Sequence, residues 1–236
     1  MNTLALVVPC RNEARRLAPA AFLRAVEEWP WISFCFVDDG STDATAEVLA
    51  HLVRLSPALH ALYLPANLGK AGAVREGVRY LCENSRADFV GFWDADLAAP
   101  LAEIPGFMRH FDESPSVRAV IGSRWPHLGA DIRRRATRGV AAAVVKSLIR
   151  RLLGANVWDT QCGAKIFARD TAAEIFRDPF RTRWLFDVEL LQRLGRRRLR
   201  SEVREQPLSA WFDVPGSKVG LGALRDLVRL LAAPRR

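Results

Sequence analysis

Apolar and amphipathic segments alternate along the first half of the chain. Five short apolar runs predict buried strands: Leu4–Val8, Trp31–Val37, Leu59–Leu64, Phe89–Trp93 and Val117–Ile121. Segments with apolar residues every three or four positions predict helices between them. These are Glu13–Glu28, a helix capped by Ser41 or Thr42 that carries Ala46, Leu49, Leu52 and Val53, then Lys70–Cys82 and Leu101–Phe111. Strands that alternate with helices predict a Rossmann-like α/β fold, with a mostly parallel central sheet flanked by helices.

The pattern changes after residue 123. Helices are predicted at Thr137–Leu153, Asp187–Arg196 and Leu221–Leu231, with an extended segment at Leu199–Trp211. The first and last of these helices are amphipathic and carry basic residues. They could lie on an anionic membrane surface, or they could cover the sheet with their arginines in solvent, and both interpretations stay open.

Acidic residues follow two of the predicted strands. In parallel sheets the carboxyl ends of the strands form one edge, where ligands bind. Asp94 and Asp96, which flank Ala95 at such an end, are hard oxygen ligands suited to Mg2+ or Mn2+ with a pyrophosphate. Asp38 and Asp39 could accept hydrogen bonds from a ribose or a base, although an Asx-turn before the helix would use the same residue types.

Two further loops could contact a nucleotide. Asn12 and Glu13 follow the first strand and could bond a base or a ribose. The segment Asn67–Gly72 places Lys70 and two glycines at the start of a helix, which suits an anion, although the spacing is not that of a P-loop.

The composition is that of a folded globular protein. Of the 236 residues, 50% are hydrophobic and 26% are charged, which excludes a disordered chain. The net charge of +9 suggests an anionic partner. The charge is uneven: residues 124–151 carry +7, residues 193–204 carry +5 and residues 218–236 carry +4, so the remainder is acidic. No motif supports nucleic acid as the partner.

Other sequence features concern location. The four cysteines form no C-x-x-C pair, so neither a zinc site nor a disulfide framework is expected. The longest uncharged run, Leu55–Gly69, is 15 residues, short of the roughly 20 that a spanning helix needs. Met1–Pro9 lacks the features of a signal peptide. We therefore expect a cytoplasmic protein without a membrane-spanning helix.

Eight segments along the chain carry a resemblance: VVPCRNEARRL (7–17), FVDDGSTDAT (36–45), NLGKAGAVREGV (67–78), FVGFWDADLAAP (89–100), IGSRW (121–125), DTQCGAKIF (159–167), RWLFDVELL (183–191) and GSK (216–218). In this order they resemble family 2 glycosyltransferases with the GT-A fold, especially polyprenyl-phosphate sugar synthases such as the dolichyl-phosphate β-glucosyltransferases and the mannose synthases. Each segment alone is weak evidence for this family, but eight segments in the same order over about nine tenths of the chain are specific evidence.

The resemblance implies roles for individual residues. Nucleotide-binding positions match Pro9, Asn12, Glu13, Asp39, Lys70 and Asp94. Asp94 and Asp96 match the metal-binding DxD pair. Arg124 matches an arginine near the phosphates, and the acceptor phosphate is expected at Arg124, Arg133, Arg134 and Arg135. An active-site loop matches Asp159, Gln161 and Cys162, and Asp187 lies in the FDVE segment. The position at which mannosyl relatives carry a metal-completing glutamine is Ala98, which leaves the number of metal ions open.

The expected reaction is inverting, metal-dependent sugar transfer to a polyprenyl phosphate, with UDP-glucose favoured as donor and GDP-mannose second. Asp96, Arg124 and Asp187 are the expected catalytic residues. An ionised acceptor phosphate needs no strong base, whereas a hydroxyl acceptor would need one, for which Asp187 or Asp159 is the candidate. The alternatives are a soluble transferase that acts on a glycan hydroxyl, and a non-catalytic nucleotide- or anion-binding module.

We expect a single domain over residues 1–236. Residues 1–123 would form its nucleotide-sugar and metal-binding half, and residues 124–236 its acceptor half. The protein would contact the cytoplasmic face of an anionic membrane peripherally.

Overall fold

A computed structural model describes residues 2–133, 148–151, 153–154, 157–183, 185–212, 226 and 229–230. The chain divides into two compact units. The first comprises Met1–Leu97 and Gly163–Pro179, and the second comprises Ala98–Cys162 and Phe180–Arg236. The single domain with halves at 1–123 and 124–236 stays a prediction.

Nine strands lie in the described residues: β1 (Leu4–Cys10), β2 (Ile32–Asp38), β3 (Leu59–Tyr63), β4 (Phe89–Trp93), β5 (Ala119–Ser123), β6 (Asp131–Arg133), β7 (Ala164–Ala168), β8 (Val203–Pro207) and β9 (Ala210–Phe212). Among the same residues are six longer helices: α1 (Pro19–Glu28), α2 (Thr45–Leu52), α3 (Gly69–Asn84), α4 (Ile104–Glu113), α5 (Arg169–Ile175) and α6 (Phe186–Ser201). A 3-10 turn, Leu101–Glu103, precedes α4.

The sheet of the first unit has the strand order β3-β2-β1-β4-β7. Its first four strands are parallel, and β7 runs antiparallel to β4 with Phe92 opposite Lys165. Helix α3 packs closely on β1 and β2, because Gly77 carries no side chain where a Cβ would lie 2.7 Å from both Val7 and Val37. This mostly parallel sheet with its helices confirms the predicted α/β class.

The second unit contains two parallel strand pairs. Strand β5 pairs with β8, and β6 pairs with β9, with Ile132 opposite Trp211. Helix α6 is kinked at Gly195, whose φ of 77° and ψ of 158° are non-helical.

Strand β4 has the predicted bounds, but three local predictions were wrong. Helix α1 begins at Pro19 rather than Glu13, because a residue before proline avoids the helical conformation while proline suits the first turn. Helix α2 begins at Thr45 without a side-chain cap. Helix α6 continues to Ser201, so the segment Leu199–Trp211 is not extended at its start.

Some predicted elements cannot be compared with the structure, and some elements of the structure were not predicted. Strands β6 and β7 were not predicted. The predicted helices at 137–153 and 221–231 lie mostly outside the described residues. Those of their residues that are described, 148–151, 153, 226 and 229–230, are helical. Within the described part of the chain, no helix is long and apolar enough to cross a bilayer.

Candidate functional site

The carboxyl ends of β1 and β2 are joined by hydrogen bonds to the loop before α3. The Asp39 amide donates to the Cys10 carbonyl at 2.9 Å, and Asp39 Oδ1 accepts the Leu68 amide at 2.6 Å. Asp38 Oδ1 accepts the Ser41 amide at 3.0 Å. The Asp38 side chain therefore fixes the turn that contains Ser41, and Ser41 does not cap α2.

Asn12 and Glu13 lie in the loop after β1. Asn12 has a φ of 54°, its amide donates to Ser41 Oγ at 3.0 Å, and its Oδ1 accepts the Thr42 amide at 2.8 Å. The Glu13 amide donates to Thr45 Oγ1 at 2.8 Å. These bonds hold the loop against the β2–α2 connection.

The Glu13 carboxylate carries an unsatisfied acceptor. Its Oε1 accepts a hydrogen bond from Arg16, whereas Oε2 is buried and has no partner within the part of the chain that the structure describes. Burial raises the pKa of Glu13, partly offset by Arg16, and the nearby charges of Asp96 and Asp43 raise it further. A buried acceptor without a partner costs free energy, so this oxygen fits a ligand that brings a hydroxyl or an N–H group.

Asp94 and Asp96 follow β4 directly, as predicted. Lys70, at the start of α3, places its Nζ 2.5 Å from Asp94 Oδ1. On the other side the Asp94 amide donates to the Gly163 carbonyl at 3.0 Å. The structure therefore brings together Lys70 and the predicted metal ligand Asp94 in the first unit.

The oxygen chemistry of Asp94 and Asp96 suits a divalent ion. Mg2+ is commonly held by one or two carboxylates together with substrate phosphates and water. Among the described residues there is no cluster of three or more metal-ligating side chains, so a cage built only by protein is not formed there. The Lys70 ammonium beside Asp94 shows that this carboxylate already attracts a cation.

In the second unit, Arg124 follows β5 and forms a bidentate ion pair with Asp159. Arg124 Nε donates to Asp159 Oδ2 at 2.5 Å and Nη2 donates to Oδ1 at 2.7 Å. Burial lowers the pKa of Arg124, but the hydrogen bond and charge of Asp159 outweigh it, so the pKa is raised overall. Arg124 therefore stays charged, and its Nε–Nη2 edge is used by Asp159 rather than left for a phosphate.

The loop that contains Asp159 is held by Glu205 on β8. The Glu205 carboxylate accepts the Trp158 and Asp159 amides at 2.9 Å. Asp159 Oδ1 in turn accepts the Gln161 amide at 3.2 Å, and Cys162 is buried. The predicted active-site loop is thus organised around Asp159.

Asp187 and Glu189 lie in the first turn of α6, and both are buried. The charge of Asp187 contributes to the raised pKa of Arg124. Glu189 accepts the Arg181 and Thr182 amides at 2.9 and 3.1 Å, so it holds the segment before α6. Its contacts indicate a structural role.

The remaining predicted residues are placed as follows. Pro9 lies within β1, next to last in the strand. Arg133 is exposed, pairs with Asp131 at 2.8 Å and stacks over Phe212. Arg134 and Arg135 lie outside the described residues.

Sequence reasoning missed two residues at these sites. Gly163 lies against Asp94, and Glu205 supports Asp159. Gly163 belongs to the DTQCG segment, and its place in that segment could have marked it as a site residue. Glu205 lies in a strand of mixed polarity, where nothing in the sequence marks it as a site residue.

The chain matches the model of "Glycosyl transferase family 2" over residues 5–176. It is 31% identical over 231 residues to dolichyl-phosphate beta-glucosyltransferase ALG5C of Trichomonas vaginalis, covering 92% of this chain and 66% of that protein. It is 30% identical to the dolichyl-phosphate beta-glucosyltransferase of Dictyostelium discoideum, covering 96% of this chain and 73% of that protein.

Solved structures also resemble this chain. Glucosyl-3-phosphoglycerate synthase of Mycobacterium tuberculosis in complex with UDP has a TM-score of 0.65 and 20% identity, covering 98% of this chain and 79% of that chain. The complex of that enzyme with Mn2+, UDP and glucosyl-3-phosphoglycerate has a TM-score of 0.63 and 19% identity, covering 97% and 76%. At this identity the likeness concerns the fold, and it agrees with the predicted GT-A class.

The family model covers most of the chain, and the two relatives are at least 30% identical over more than nine tenths of it. The chain therefore belongs to glycosyl transferase family 2 and is a glycosyltransferase.

Proposed function

We propose that this protein transfers glucose from UDP-glucose to a polyprenyl phosphate, in a metal-dependent reaction that inverts the anomeric centre. The observation that carries the proposal is the buried, unsatisfied Glu13 acceptor, which lies near enough to Asp96 for that charge to raise its pKa. The named activity of the relatives from T. vaginalis and D. discoideum supports the choice of glucose and of a lipid phosphate.

The first unit binds the donor. Glu13 Oε2 accepts a hydrogen bond from a hydroxyl or N–H group of the nucleotide, which satisfies its buried lone pairs. Pro9, Asn12 and Asp39 line the nucleotide site, and Lys70 exchanges its contact with Asp94 for the donor phosphates. Asp94 and Asp96 hold Mg2+ or Mn2+, which when bound neutralises the leaving diphosphate as a Lewis acid.

The second unit receives the acceptor. Arg124, held in place by its ion pair with Asp159, attracts the acceptor phosphate together with the basic group Arg133–Arg135. A phosphate monoester is largely ionised near neutral pH, so its oxygen attacks without a strong general base. A single displacement turns an α-linked donor into a β-linked product. If the acceptor were a hydroxyl, Asp187 would be the candidate base.

A polyprenyl phosphate lies in a bilayer, so we propose that the protein contacts the cytoplasmic face of an anionic membrane peripherally. Basic residues next to exposed apolar side chains support this placement: Arg133 accompanies Phe212, and Leu128 is fully exposed in the loop before β6. Such surfaces bind lipid headgroups and the acyl boundary at once.

The test is a donor screen by nucleotide release, with and without a short polyprenyl phosphate. We expect release from UDP-glucose that requires both the lipid and Mg2+ or Mn2+. Asp96→Asn should abolish it, whereas Asp112→Asn, an exposed position on α4, should not. Release that depends on a glycan instead of the lipid, or no loss in Asp96→Asn, would overturn the proposal.

A further inference from the structure

Asp94 is fixed from two sides. Its Oδ1 lies 2.5 Å from Lys70 Nζ, and its backbone amide donates to the Gly163 carbonyl at 3.0 Å. The side chain of Asp94 is thus held by Lys70, and its backbone by the residue before β7.

Gly163 leaves room for that carboxylate because it has no side chain. A Cβ at position 163 would lie 1.8 Å from Asp94 Oδ2 and 2.2 Å from Cγ, far inside the 3.0 Å below which Cβ atoms essentially never approach another atom. Gly163 is not among the residues with positive φ, so its backbone conformation suits alanine. The need for glycine therefore comes from Asp94 and not from the backbone.

The hydrogen bond between the two backbones restricts how a clash could be relieved. Because the Asp94 amide and the Gly163 carbonyl are bonded, and β4 and β7 are paired next to them, the strands resist moving apart. The Asp94 side chain would instead rotate to another rotamer. That rotation would move the Asp94 carboxylate oxygen away from Lys70 Nζ.

We propose that Gly163 is a positioning residue that sets the rotamer of Asp94, and through it the geometry of the metal and donor site. The consequence for catalysis rests on the proposed function, whereas the steric coupling between positions 163 and 94 does not. Misplacement of a site group by about 1 Å can cost on the order of a hundredfold in rate.

The first measurement is Gly163→Ala, assayed for glucose transfer and, by electron paramagnetic resonance, for Mn2+ binding in the presence of UDP. We expect kcat to fall about a hundredfold and the Mn2+ dissociation constant to rise about tenfold, with a native circular dichroism spectrum. Gly106→Ala on α4 is the control, since a Cβ there would come no closer than 3.2 Å to any atom outside its own helix backbone. A folded Gly163→Ala protein with unchanged Mn2+ binding would overturn the proposal.

The second measurement separates the clash from other causes. In an Asp94→Ala background the carboxylate is gone, so adding Gly163→Ala should leave Tm unchanged, while in the parent chain it should lower Tm by roughly 2 °C or more. An equal loss in both backgrounds, or a double variant that does not fold while Asp94→Ala does, would contradict the coupling. A coupled loss in a protein that transfers no glucose would reject the proposed function and leave the coupling standing.

Discussion

Two aspartates of the second unit each accept a bidentate contact from an arginine, and they differ in burial. The Arg124 and Asp159 side chains are 18% and 8% exposed, whereas those of Arg133 and Asp131 are 72% and 48% exposed. An exposed pair gains little because water and salt screen it, but breaking a buried pair leaves an uncompensated charge. Loss of the ion pair should therefore cost more stability at Arg124–Asp159 than at Arg133–Asp131.

Asp159→Asn should destabilise the protein by about 3 kcal/mol, because Arg124 would stay charged and lose its counter-ion. Urea unfolding measures this loss. Asp131→Asn is the matched control and should leave the unfolding midpoint unchanged. Equal urea midpoints for the two variants would show that burial does not decide how much the Arg124–Asp159 pair contributes to stability.

Glu13 makes stability depend on pH. Its pKa is raised in the folded state, so between the ordinary glutamate pKa and the raised value the folded protein holds more protons than the unfolded chain. Stability contributed by the protonated side chain is thus present below the ordinary pKa and is lost as pH rises through the folded pKa. We expect Glu13→Gln to flatten this decline, measured as Tm from pH 4 to 7 in both proteins. Curves of Tm against pH that run parallel in the two proteins would contradict this expectation.

At the scale of elements, the packing of α3 on the sheet depends on a single missing side chain. Gly77 faces Val7 and Val37, and a Cβ there would lie 2.7 Å from each. Alanine is the better helix former by about 1 kcal/mol, but overpacking a core commonly costs about 1–3 kcal/mol. We expect the cost of overpacking to outweigh the gain in helix propensity.

Gly77→Ala should therefore lower the free energy of unfolding, although the substitution favours a helix. Thermal unfolding checks the sign. The control is again Gly106→Ala, which also lies in a helix but whose Cβ would come no closer than 3.2 Å to a neighbouring side chain, so it should lose less stability than Gly77→Ala. A stabilised Gly77→Ala protein would mean that α3 can move away from the strands.

Local patterns predicted most elements of the first unit but not their contacts. Strand β4 matches because Phe89–Trp93 is continuously apolar and ends at an aspartate. Strand β7 was missed because Lys165 interrupts its apolar run, although that lysine is fully buried. The pairing of Arg124 with Asp159 spans 35 residues, and the approach of Gly163 to Asp94 depends on strand register. Neither contact leaves a periodic signal in the sequence.

At the scale of the whole molecule, charge and exposed apolar side chains occur in the same part of the chain. Residues 124–151 carry a net +7, and within them Leu128 is fully exposed and Trp125 is 39% exposed. Exposed apolar residues among basic ones suit an anionic bilayer surface, where attraction weakens as salt screens the charges.

Leu128→Ser should weaken sedimentation with vesicles that contain anionic lipid, severalfold at low salt, without changing Tm. Leu55→Ser is the control, because Leu55 is also exposed but belongs to the first unit. Binding that is equal in both variants and insensitive to salt would argue against this surface.

The return of residues 163–179 to the first unit constrains how the enzyme can be engineered. An N-terminal fragment that ends at residue 123 would lack β7, so β4 would present an unpaired edge, a known route to aggregation. It would also lack the residue against which Asp94 rests. A chimera meant to exchange donor preference with a homologue should therefore transplant two separate stretches of sequence, and a single crossover point would separate residues that have to match.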